Sequence, residues 1–148
     1  MAHPYYPSGV PRFNHVAMSL SADQLDQKHR DEICRFWGDV FGFDEIGVMT
    51  EDRRRLILSC VHWDQFIFLI ADDKPMTCPR MDHFGFSVGT LAELQGIQDR
   101  AQAFREHDDR VDLIDLHTDD QGVVKIHSLY VQYVLPMMCE VQWWEFAQ

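Results

Sequence analysis

Phe13-Asn14-His15-Val16-Ala17-Met18-Ser19-Leu20 returns further along the chain as Met81-Asp82-His83-Phe84-Gly85-Phe86-Ser87-Val88. Each stretch is a short apolar run with a histidine third and a serine seventh. Each precedes a helix-like segment and then further strand-like runs. Self-similarity of this kind marks a repeated structural unit. Neither half is large enough to bury much core alone, so the halves are expected to share one. Histidines at equivalent points of such units can meet where the units meet.

The reading extends outward from these strands. After the first, Ser21 or Asp23 can cap a helix in which Ile33, Phe36, Trp37, Val40 and Phe41 fall at helical spacing. Gly42 stands where a helix-ending glycine belongs. A short strand over residues 45–50, a charged turn over 51–55 and strands over 56–62 and 65–71 complete the first unit, the last two joined at Trp63-Asp64. Pro75 and Pro79 mark residues 73–80 as a linker. The second unit repeats the order: a strand from Met81, a helix over 91–106, strands over 109–116, 125–135 and 139–146, a polar turn over 118–122 and a tight turn at Pro136-Met137. The organisation read this way is an N-terminal arm over residues 1–12 and a single domain over 13–148, with β-α-β-β-β units over 13–72 and 81–146.

Composition narrows the function. Of 148 residues 46% are apolar, which is enough for a sizeable core, and the formal net charge is −11. An acidic surface argues against nucleic acid, whose phosphates need basic partners, and against docking on an anionic membrane. No apolar run approaches the length of a membrane span, and the N-terminus has no apolar stretch of the kind a signal peptide carries. The four cysteines lie far apart with no C-x-x-C pair. Reduced thiols in a cytoplasmic protein are expected.

The duplicated unit order, the strand-borne His15 and His83, the helix end Phe36-Trp37-x-x-Val40-Phe41-Gly42-Phe43 and the closing Cys139-Glu140-Val141-Gln142-Trp143-Trp144-Glu145-Phe146 resemble the vicinal oxygen chelate superfamily. That superfamily includes glyoxalase I, extradiol dioxygenases, bleomycin-resistance proteins and epimerases. The resemblance runs from about Phe13 to Phe146. It implies an α+β fold in which the units form a U-shaped, open mixed sheet around a divalent metal, with helices outside. Carried over position by position, it implies His15, His83 and Glu140 as ligands. Aligning Asp64-Gln65-Phe66-Ile67-Phe68-Leu69 with Cys139-Glu140-Val141-Gln142-Trp143-Trp144 makes Gln65 the fourth. Counting from Pro136 would instead select Gln142, but a carboxylate is the better ligand.

Two imidazoles and one carboxylate on one side of a divalent first-row metal leave its other positions open, as in non-haem iron(II) oxygenases. Gln65 could add only a neutral carbonyl oxygen. A lone histidine is more often a hydrogen-bonded core residue than a ligand. A pair at repeat-equivalent positions shifts that balance. Glu140 among Val, Trp and Phe must be paired or bind a cation if it is buried.

Candidate acid–base groups surround this set. His62 shares a face with Gln65 if Trp63-Asp64 is a two-residue turn. Tyr130 or Tyr133 could bind a substrate oxyanion, and His127 shares parity with Tyr133. Trp143 and Trp144 point to opposite faces, one toward the core and one toward the pocket. Phe66, Phe68, Phe84 and Phe86 are expected beneath the helices. His3, His29, His107 and His117 read as surface.

The resulting expectation is a metal-dependent enzyme acting on a small molecule. An Fe(II) extradiol-type dioxygenase of a catechol-like substrate is favoured by the three-ligand count. A redox-silent lyase or isomerase using Zn, Mn, Ni or Co, with His62 or Glu145 as base, is the alternative. A metal-free drug-binding protein is the third. A homodimer is expected, although one chain with both units could hold the site by itself.

Overall fold

In the computed structural model, strand β1 (His15–Leu20) is followed by helix α1 (Gln27–Phe41), the short β2 (Asp44–Glu45), β3 (Arg55–Ser59) and β4 (Phe66–Ala71). The order then repeats with β5 (His83–Ser87), α2 (Leu91–Arg105), β6 (Asp112–Asp120), β7 (Val124–Gln132) and β8 (Met138–Phe146). The described residues are 9, 11–50 and 53–147. Most of the arm expected over 1–12, with His3, and part of the charged turn over 51–55 lie outside them.

Each unit forms one four-stranded mixed sheet, in the order β1-β4-β3-β2 and β5-β8-β7-β6. In both sheets the first strand runs parallel to the last, and the remaining pairings are antiparallel. This is the α+β arrangement of two β-α-β-β-β units that the repeat implied.

Local chemistry explains the helices. Asp26, not the expected Ser21 or Asp23, caps α1 by accepting from the His29 N–H, because Ser21 caps a separate 3-10 turn before it; Gly42 ends α1 at φ 76°, a conformation that glycine adopts at little cost. Ile33, Phe36, Trp37 and Val40 line its buried stripe. Thr90 and Glu93 form a reciprocal capping box at the start of α2. The helices meet through Phe36 and Phe104, whose ring centroids lie 5.1 Å apart, and Arg100 donates to the Val40 carbonyl at 2.9 Å. Trp37 reaches Phe84 and Phe43 reaches Phe86, so the core is continuous between the units. No helix among the described residues is long and apolar enough to cross a membrane.

Several expected boundaries differ, three of them near turns. The strand expected over 45–50 stops at Glu45, where Ile46 turns inward and Gly47–Met49 form a 3-10 turn. The polar turn expected over 118–122 is shorter. Thr118, Asp119 and Asp120 pair with His127, Ile126 and Lys125, which leaves the reversal to Gly122 at φ 80°. Strand β7 ends at Gln132, not at residue 135. The Gln132 amide donates to the Leu135 and Pro136 carbonyls, and Val134 adopts φ 64°, which breaks the extended run.

Candidate metal centre

Strand alternation sorts the candidates. On β8, Cys139 and Val141 face the core, so Glu140, Gln142 and Trp144 share the open face of their sheet. Gly85 of β5 and Tyr130 of β7 are the neighbours of Glu140 in the ladder. His83, two residues before Gly85, stands on the same face.

The contacts there are close. His83 Nε2 lies 3.3 Å from Glu140 Oε2. His83 Nδ1 lies 2.8 Å from the Met81 carbonyl oxygen. A carbonyl only accepts, so Nδ1 carries a proton, and in the neutral ring Nε2 presents a lone pair to the carboxylate. Two electron-rich atoms at that separation need a positive charge between them, supplied by a second ring proton or by a cation. The ring of Tyr130 meets His83 edge-on at 5.2 Å. Burial, reinforced by a hydrogen bond to Glu140, pushes the Tyr130 phenol up to about 12, so it keeps its proton. His117, expected as plain surface, is exposed but stacks on Tyr130 at 6.0 Å. Gln142 donates to Glu140 Oε1 at 2.9 Å, and Trp144 donates to Gln142 Oε1 at 2.8 Å.

The first unit contributes differently. His15 is exposed, its ring stacked on Phe66 at 4.8 Å and its Nδ1 2.7 Å from Asn14 Oδ1. Among the described residues, no three His, Cys, Asp or Glu side chains gather closely enough to hold one metal ion. His83 and Glu140 therefore come together within the chain and His15 does not join them, contrary to a site held by one chain alone.

The register also moves the fourth position. His15 pairs with Phe66 as His83 pairs with Met138, and Ala17 pairs with Phe68 as Gly85 pairs with Glu140. Phe68 is thus the counterpart of Glu140. Gln65 lies outside β4 and shares parity with the core-facing Ile67 and Leu69. It lines a groove of about 330 Å³ with Phe13, Cys60, Val61, Gly85, Phe86 and Ser87. By the same register Phe66 and Phe68 occupy the open face beside His15 and Ala17, not the space beneath the helices. Phe84 and Phe86 do pack into the core.

Three further candidates lie elsewhere. Gln65 pairs with Cys60 through the Cys60 N–H, so His62 sits out on the exposed turn. Tyr133 is fully buried, stacked on Phe36 at 4.4 Å, with its hydroxyl donating to Asp108 and accepting from Arg110. His127 has the parity opposite to Tyr130. It bonds Thr118 and Glu145 at 2.8 and 3.0 Å and stacks on Trp143. That contact also places Glu145 away from Glu140. Trp143 packs against the core while Trp144 is exposed on the side of Glu140. The signal that points to Gln142 and Trp144 is the alternation Glu140-x-Gln142-x-Trp144.

The same fold occurs in solved structures. A lactoylglutathione lyase from Agrobacterium tumefaciens superposes with a TM-score of 0.61 at 16% identity, over 90% of this chain and 94% of its own. The fosfomycin resistance protein FosX from Listeria monocytogenes superposes with a TM-score of 0.62 at 15% identity, over 89% and 90%. The chain has the vicinal oxygen chelate fold. A glyoxalase/bleomycin resistance protein from Albidiferax ferrireducens matches that fold with a TM-score of 0.61 at 11% identity, over 88% and 97%. No family model matches this chain, and no curated protein matches its sequence.

Proposed function

We propose that this protein is an enzyme that acts on a small molecule with two neighbouring oxygens through a divalent metal, the metal being held by His83 and Glu140 of one chain and His15 of a second copy. The observation that carries the reading is the His83 Nε2–Glu140 Oε2 approach of 3.3 Å, with the ring proton committed to Met81. The donor set suits a first-row divalent cation, and a second ring nitrogen would complete one side of it. His15 is exposed on an open face that also carries Phe66, Phe68 and the exposed Ile70. An apolar sheet face next to a ligand-type histidine is suited to burial against a copy of the same chain. In such a dimer the sheet of the second unit supplies a polar wall and the partner's first-unit sheet an apolar one. That combination suits a compact substrate with an apolar or aromatic body.

When bound, the metal would supply Lewis acidity to the substrate oxygens. The chain's own residues do the rest. The Tyr130 hydroxyl keeps its proton and donates a hydrogen bond to Glu140, and His117 at the rim stacks on the Tyr130 ring at 6.0 Å. Redox-silent lyase or isomerase chemistry is favoured, because the neighbours include a lactoylglutathione lyase. One FosX variant structure holds Mn(II) with a dihydroxypropylphosphonic acid. A second reading, Fe(II) extradiol dioxygenase, is supported by Phe68 standing where a fourth ligand would be, which leaves a two-histidine, one-carboxylate set. Four free cysteines fit a reducing, cytoplasmic setting.

The test is metal content by mass spectrometry on untagged protein purified anaerobically, beside His83→Ala and Glu140→Ala. Near-stoichiometric metal lost in both variants supports the reading. Bound manganese, nickel, cobalt or zinc favours the redox-silent branch, and iron with oxygen uptake on catechols favours the dioxygenase. A wild type that takes up no metal on reconstitution refutes both.

A further inference from the structure

On β8 the polar residues Glu140, Gln142 and Trp144 alternate along one face and are linked end to end. The direction of the chain of hydrogen bonds is set by its ends. An indole N–H can only donate, so the Gln142 carbonyl must face Trp144. The Gln142 amide N–H is thereby turned toward a carboxyl oxygen of Glu140, which accepts it. The bond falls on Oε1 at 2.9 Å, while Oε2 is the oxygen that approaches His83.

The fold itself does not demand this polar line. The matching positions of β4 are Phe68 and Ile70, since Ser19 pairs with Ile70 as Ser87 pairs with Gln142. The first unit builds the same strand with apolar side chains. Glu140 is also mostly buried, so an oxygen without a partner there would be costly.

We infer that Gln142, oriented by Trp144, is a positioning residue that holds Oε1 of Glu140 and so keeps Oε2 turned toward His83, where the metal would bind. This rests on the metal site proposed above. Gln142 acts only through Glu140, and Trp144 acts only through Gln142.

The experiment is a Mn(II) titration of the full-length protein, read by the electron paramagnetic resonance of free ion. The wild type is compared with Gln142→Leu, Trp144→Phe, the double variant and a His83→Ala control, with thermal melts of each metal-free protein. Loss of an outer partner of a ligand weakens metal binding by roughly 10- to 100-fold, and that is expected for Gln142→Leu. Trp144 is 45% exposed, so its replacement leaves folding intact while weakening Mn(II) binding by a smaller factor. Because the residues act in series, the double variant binds within about twofold of Gln142→Leu alone. Mn(II) affinity of Gln142→Leu within about twofold of wild type overturns the inference. So does a Trp144→Phe effect that persists undiminished in the Gln142→Leu background, or losses that only track the melting temperatures. A wild type that binds no Mn(II), or binds it as tightly after His83→Ala, overturns the metal site and this inference with it.

Discussion

Mixing two inactive variants gives the sharpest test of a site shared between copies. His15→Ala and Glu140→Ala each remove one ligand and, by the proposal, each homodimer loses its metal. In a mixed dimer the His15→Ala chain still carries His83 and Glu140, and the Glu140→Ala chain still carries His15. One of its sites is therefore whole and the other lacks both groups. Random pairing of equal amounts makes about half the dimers mixed, so about one quarter of all sites are restored. The assay is bound Mn(II) per chain after co-expression or joint refolding, with dimer content checked by analytical ultracentrifugation. His15 is exposed, so its removal costs little stability, and Glu140→Ala is checked by thermal melt. The paired control is His83→Ala with Glu140→Ala. Those ligands come from the same chain, so every site keeps a defect and no restoration is expected. Recovery near zero in the first mixture, with the wild type binding normally, refutes the shared site. Full Mn(II) binding by His15→Ala alone refutes His15 as a ligand.

Other predictions concern the scaffold. Tyr133→Phe keeps the stacking on Phe36 but removes a hydroxyl that lies 2.7 Å from Asp108 and 2.9 Å from Arg110. It should cost roughly 1–3 kcal/mol in urea unfolding, and a loss below about 0.3 kcal/mol would show that the hydroxyl contributes nothing. Hydrogen bonding from Arg110, helped by Tyr133, holds the Asp108 carboxyl well below the usual carboxylate range although burial opposes it. A depressed folded-state pKa stabilises above the unfolded value, about 3.9, and that contribution is lost as pH falls below it. Asp108→Asn should therefore flatten the fall of melting temperature between about pH 5 and pH 2, and an unchanged slope would count against the network. Burial pushes the thiols of Cys34 and Cys60 up to about 11 and about 12, and Cys139 is raised as well. Ellman's reagent at neutral pH should label these slowly in the native protein and all four cysteines quickly after denaturation. Fast labelling of native Cys60 would contradict its burial.

Much of the fold is legible locally. The repeated histidine strand, the Ile33-Phe36-Trp37-Val40 stripe and Gly42 as a helix stop each depend on residues a few positions apart. Periodicity and capping are short-range physics, so the unit order and both helices could be read in advance. The pairing of His15 with His83 as equivalent positions was readable for the same reason.

Which side chains share a face was not readable in this way, because it depends on register between strands distant in the chain. A slip of one residue turns a whole strand over. The β1–β4 and β5–β8 ladders put Phe68, not Gln65, opposite Glu140 in the repeat. Alternation along β7 put Tyr130 beside Glu140, whereas Tyr133, on the parity of the buried Leu129 and Val131, is sealed beneath α1. The sequence by itself determined the units, the helix stop at Gly42 and the candidate carriers of ligand chemistry. Tertiary pairing alone decided that His83, Glu140, Gln142 and Trp144 form one connected face and that His15 stands apart from it. The physical reason is that local propensities act over a few residues, whereas sheet register is set by burial and hydrogen bonding across tens of them.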